Sequence, residues 1–132
     1  MKVRSGFVSN SSTSSYIIVG FKFDDHKDFA EFLGKKLGAD DPLVASLYCI
    51  EKIDKYERYN VLDDVMKYFD MFIIHNEDGD NSYHFGITID EVYWEFEREV
   101  DDFCIAIQKA EDKLHEEFPD SSPKVYGVYT PM

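Results

Sequence analysis

Residues 71–88 read Met71-Phe72-Ile73-Ile74-His75-Asn76-Glu77-Asp78-Gly79-Asp80-Asn81-Ser82-Tyr83-His84-Phe85-Gly86-Ile87-Thr88. Two β-branched and aromatic runs flank a short polar stretch, and Asp78-Gly79 supplies the positive φ that tight hairpin turns need. A β-hairpin is therefore expected. Alternation puts Phe72, Ile74, Tyr83, Phe85 and Ile87 on one face, and leaves His75 and His84 together on the other.

The rest of the fold is read outward from this hairpin. Towards the N-terminus, Tyr16–Phe23 forms a strand with Ile17, Val19, Phe21 and Phe23 on one face. Asp24-Asp25 can cap a helix carrying Phe29, Phe32, Leu33 and Leu37 at helical spacing, and Gly38 closes it. Asp40-Asp41-Pro42 opens a second helix over about Leu43–Tyr56, although residues 46–53 also suit a strand. A third, shorter helix is expected from Asn60 as its cap. Beyond the hairpin, Thr88-Ile89-Asp90-Glu91 reads as a capping box. It starts a long amphipathic helix whose Val92, Phe96, Val100, Phe103, Ile107, Leu114 and Phe118 recur every three, four or seven residues up to Pro119. Lys124–Tyr129 is the closing strand. Merging the helices of the first crossover gives βαββαβ. The expectation is one α+β domain over residues 1–132. Its four-stranded, mostly antiparallel sheet would have helices on one face and the other face more open, in a ferredoxin-like arrangement with extra helices in the first crossover.

An aromatic content of 16% in 132 residues excludes disorder over the whole length. The 27 acidic residues outweigh 14 basic ones, a net charge of −13, so direct nucleic-acid binding by charge neutralisation is not expected. The charge is unevenly placed. Residues 1–20 carry +2 from Lys2 and Arg4, and the other 112 residues carry −15. No apolar run reaches the length of a membrane span. Cys49 and Cys104 sit beside apolar neighbours and read as half-buried core thiols of a reducing cytosol, which points to a soluble cytoplasmic protein.

The N-terminal segment 1–15 is polar and serine-rich: six of the seven residues from Ser9 to Ser15 are hydroxylic. With Lys2 and Arg4, the loop Ser9-Asn10-Ser11-Ser12-Thr13 offers donors to an anion such as phosphate. The plainer reading, a polar lead-in to the first strand, is favoured on composition. The segment Gly6-Phe7-Val8-Ser9-Asn10-Ser11-Ser12, preceded by Lys2 and Arg4 and followed by Ser14-Ser15, resembles the opening shared by many short phage and prophage-type bacterial proteins. Thr13 and Tyr16 depart mildly from that pattern. The resemblance covers about the first 16 residues, implies a phage or mobile-element setting, and transfers no catalytic residue.

The long helix is the most charged element. Eleven acids against Arg98, Lys109 and Lys113 give it a net −8, and repeated like charges at i,i+4 weaken a helix. A negative stripe of Glu91, Glu95, Glu99, Asp101 and Asp102, with Tyr93 and Trp94 as aromatic anchors, fits a surface that docks on a basic partner. Neither a catalytic motif nor metal-ligand spacing is present, and no cofactor is expected. The leading expectation is a non-enzymatic, phage-type protein that binds and modulates a host protein with a basic, nucleic-acid-binding surface. Restriction, CRISPR or other defence factors are such targets. The alternatives are a small-ligand or phosphate-binding protein or enzyme using Ser9–Ser15, and a virion assembly protein.

Overall fold

The computed structural model describes residues 14–76, 80–89 and 100–130, with side chains described over 17–76, 80–89 and 104–128. The chain folds as an α+β domain around a four-stranded antiparallel sheet. Its strands are β1 (Ser14–Phe23), β2 (Phe72–His75), β3 (Tyr83–Thr88) and β4 (Lys124–Thr130), in the order β2-β3-β1-β4. The helices are α1 (His26–Leu37), α2 (Pro42–Tyr48), α3 (Lys55–Phe69) and α4 (Val100–Glu117), with a 3₁₀ turn at Ile50–Lys52.

Caps define the helices of the first crossover. Asp25 Oδ1 accepts from the Lys27 N–H at 3.1 Å to start α1, which Gly38 ends at φ 100°. Asp41 Oδ1 accepts from the Leu43 N–H at 2.9 Å, and Pro42 occupies the first turn, where its missing N–H costs nothing. The expected helix over Leu43–Tyr56 is instead broken. α2 ends at Tyr48, and α3 starts at Lys55, five residues before Asn60, because Asp54 Oδ1 already accepts from the Glu57 N–H at 2.9 Å. An aspartate followed three residues later by glutamate is a strong start signal, and it wins over the cap expected at Asn60. Residues 46–53 hold no strand.

The core lies between the sheet and the helices. Val19, Phe21, Ile73, Tyr83 and Phe85 meet Phe29, Leu33, Val44, Leu47, Leu62, Val65, Phe69 and Leu114. The aromatic surplus is concentrated here. Phe32 lies 4.8 Å from both Phe21 and Phe118, and Phe85 lies 5.3 Å from Phe29 and 5.5 Å from Phe69, ring centre to ring centre. Tilted and edge-on pairs at these separations add to the burial of each ring.

The second sheet face is less open than expected. Ile18 and Ile74 have no exposed surface, Val128 is buried, and Tyr126 packs against this cluster. The two cysteines depart from the expected half-buried placement as well: Cys49 and Cys104 are both exposed.

At the centre of the sheet, Gly20 of β1 stands directly opposite Gly86 of β3. A Cβ on Gly20 would overlap the Phe85 carbonyl and lie 2.8 Å from the Gly86 Cα. One on Gly86 would overlap the Val19 carbonyl and lie 2.7 Å from the Gly20 Cα. The neighbours are backbone in a paired strand and have nowhere to move. Gly20→Ala and Gly86→Ala should each destabilise the fold by about 2–3 kcal/mol or more, read from urea unfolding midpoints. Alanine at Gly127, where nothing lies within 4 Å, is the control expected to cost far less.

Candidate functional site

Of the residues singled out in the sequence, Lys2, Arg4, Ser9, Asn10, Ser11, Ser12 and Thr13 lie outside the described residues, as do Glu91, Tyr93, Trp94, Glu95 and Glu99. Asp101 and Asp102 lie within α4, their side chains outside the described ones. Thr88 of the expected capping box is the last residue of β3, opposite Ile18, and the Ile89 N–H donates to the Ile17 carbonyl at 2.9 Å. The serine run reaches into the sheet, where Ser14 and Ser15 open β1 opposite Thr130 and Tyr129.

The hairpin register moves the histidines apart. The Asn76 N–H donates to the Ser82 carbonyl at 3.0 Å, and His75 then pairs with Tyr83, Ile74 with His84 and Ile73 with Phe85. Ile73 and His75 therefore lie on the helix-covered face, and Phe72, Ile74 and His84 lie on the other, which reverses the expected assignment of β2. His75 stacks on Tyr83 with ring centres 4.1 Å apart, and its Nε2 is 2.6 Å from Asn81 Oδ1. The two imidazoles do not share a face and do not form one site. Among the described residues no His, Cys, Asp or Glu cluster has metal-binding geometry.

What the register does bring together is a group of carboxylates where β1 hands over to α1. Lys22 and His84 are directly opposite each other in the ladder. Lys22 Nζ lies 3.8 Å from Asp24 Oδ1 and 3.8 Å from Asp80 Oδ2. One residue further on, the buried His26 has its Nδ1 3.0 Å from Asp25 Oδ1 and 3.7 Å from Glu51 Oε2. Two carboxylates thus flank Lys22, and two others flank His26. Their side chains are 85% (Asp24), 52% (Asp25), 59% (Glu51) and 57% (Asp80) exposed, so the surplus charge faces solvent.

Two of these acids are held in place by main-chain donors. Asp25 caps α1, and Asp80 Oδ1 accepts from the Ser82 N–H at 3.1 Å. Hydrogen bonding from the Ser82 side chain, and then from its N–H, holds the Asp80 carboxyl below the ordinary carboxylate range. Lys22 assists and partial burial opposes. The arrangement has preorganised negative charge, which suits docking on cations. No sequence motif announces it, because Asp24, Asp25, Glu51 and Asp80 are joined only by the fold.

His84 sits beneath this cluster, buried, with its Nδ1 unpartnered among the described residues and its ring edge-on to Tyr126 at 5.1 Å. Burial, and secondly Lys22, lower its pKa below the ordinary 6.5, while Asp80 and Asp24 pull the other way. Between the two values the unfolded chain binds more protons than the folded one. The stability present above about pH 6.5 is therefore lost as the pH falls through that window. Urea midpoints should drop between about pH 7.5 and about pH 5.5, and His84→Gln should flatten that drop.

Compared with known proteins, the chain matches no family model, no curated protein and no solved structure, so its chemistry is read from its own residues.

Proposed function

We propose that this is a non-enzymatic binding protein that occupies the basic surface of a host factor handling nucleic acid, such as a restriction, CRISPR or other defence factor. The observation that carries the reading is the exposed carboxylates where β1 leads into α1, Asp24 and Asp80 about Lys22 and Asp25 and Glu51 about His26, in a chain of net charge −13. The phage-type opening supports the host setting. The acids Glu91, Glu95, Glu99, Asp101 and Asp102, with Tyr93 and Trp94, extend the same chemistry along the sequence.

Carboxylates fixed by caps and main-chain donors stand in for phosphates on a surface evolved for a polyanion. Long-range attraction speeds and orients encounter, and buried contacts at the centre then set the lifetime of the complex. No helix among the described residues is long and apolar enough to cross a membrane.

The test is capture of nucleic-acid-binding proteins from bacterial lysate on the immobilised chain. The variant Asp24→Asn/Asp25→Asn/Glu51→Gln/Asp80→Asn removes the charge and keeps the capping acceptors, since asparagine caps a helix about as well as aspartate. A second variant, Glu91→Gln/Glu95→Gln/Glu99→Gln/Asp101→Asn/Asp102→Asn, tests the other acidic stretch. Capture should weaken about tenfold or more between about 50 mM and about 500 mM salt, yield to competing duplex DNA, and be lost in at least one variant. Capture that persists at high salt and in both variants contradicts the proposal.

A further inference from the structure

Among the described residues three histidines are buried, and two of them have partners. His26 Nδ1 meets Asp25 and Glu51, and His75 stacks on Tyr83 and reaches Asn81. His84 is only 8% exposed, and its Nδ1 has no hydrogen-bond partner among the described residues. A buried polar atom without a partner costs stability, so a fold that keeps one calls for a reason.

The register fixes what surrounds the ring. Lys22 is its partner on β1 in a non-hydrogen-bonded pair, the type that brings side chains closest. Lys22 Nζ in turn lies 3.8 Å from Asp24 and 3.8 Å from Asp80. On β2 the opposite residue is Ile74, which is fully buried and brings no charge. From β4 come Tyr126, whose ring meets His84 edge-on, and the exposed Lys124, which pairs with Gly20 on the same face. The turn before β3 contributes Asp80 and the buried Ser82, whose hydroxyl donates to Asp80. Lys109 and Lys113, the other lysines beside β3, line a groove of about 350 Å³ at its far end, between residues 87–89 and α4. The imidazole thus sits under one ammonium group that two carboxylates share.

Protonation upsets this balance. In an imidazolium both ring nitrogens carry a proton, so the buried Nδ1 becomes a donor with no acceptor, beside the positive charge of Lys22. Burial and Lys22 oppose the charged ring where it stands, and the groups that favour it are Asp80 and Asp24. We propose that His84 makes the acidic face pH-sensitive: once charged, its ring turns from beneath Lys22 to Asp24 and Asp80, and the face loosens its hold on a basic partner. This rests on the reading of that face as a docking surface. With His84 neutral, Asp24, Asp80 and Lys22 sum to a charge of −1, and with an imidazolium among them they sum to zero. The two carboxylates are then engaged from within and no longer offered to a partner. Because burial opposes the charge, the change falls below the ordinary 6.5 of a histidine.

The test follows the His84 ring of the full chain by NMR as a function of pH. A nona-arginine peptide is then titrated at about 50 mM salt, one pH unit above and one below the ring's midpoint. The midpoint should lie below 6.5, with amide shifts at Lys22, Asp24 and Asp80 that follow the same curve. Lys22→Gln should raise it and Asp80→Asn should lower it, both at exposed positions. Below the midpoint the wild type should lose about threefold more peptide affinity than His84→Gln. A midpoint at or above 6.5, one that neither substitution moves, or an equal loss in wild type and His84→Gln overturns the proposal and leaves the docking surface standing. The midpoint measurements decide it without His84→Gln, should that variant fail to fold. Absence of peptide binding above the midpoint removes the docking surface itself, and the proposal with it.

Discussion

The contact on which the rest depends is backbone against backbone at Gly20 and Gly86. This is a non-hydrogen-bonded pair of the β1–β3 ladder, the closer of the two antiparallel pair types, with Cα atoms typically about 4.5 Å apart. Side chains on these two residues would keep the strands apart. Because β1 is bonded on both edges, to β3 and to β4, its register with β3 is the reference for the whole sheet. A slip of one residue would carry Val19, Phe21 and Phe85 out of the core and bring Ile18 and Lys22 into it.

That register also places two surfaces of opposite charge. Lys22 and His84 fall at one end of the ladder, beside Asp24 and Asp80, and Thr88 falls at the other, beside Lys109 and Lys113. Four residues of β3 separate His84 from Thr88, roughly 13 Å at the rise of an extended strand. That exceeds the Debye length of about 8 Å at physiological salt, so each surface acts largely on its own local charge.

Much of the fold was legible because its signals are local. Asp41-Pro42, Gly38, the alternation of Ile17, Val19, Phe21 and Phe23, and the period of the last helix's apolar residues each depend on a few neighbouring positions. β2 was misread because Phe72-Ile73-Ile74 has no alternation of its own. Both isoleucines are fully buried, on opposite faces, and only the Asn76–Ser82 closure decides which faces the helices. The histidines followed the same error. Asp54 was overlooked as a cap because apolar periodicity becomes clear only after Asn60. The carboxylate group and the groove were not legible. The first gathers residues 56 positions apart in the chain, from Asp24 to Asp80, and the second brings residues 87–89 against residues 106–113.

The most direct test of this account is the Hα–Hα contact between Gly20 and Gly86 in a NOESY spectrum of the labelled protein. A non-hydrogen-bonded antiparallel pair brings these protons close, so a strong cross-peak between the two glycines is expected, with a matching one between Lys22 and His84. Strong cross-peaks from Gly20 to Phe85 or Ile87 in their place would mean a ladder shifted by one residue. That result would dissolve the Lys22–His84–Asp80 cluster.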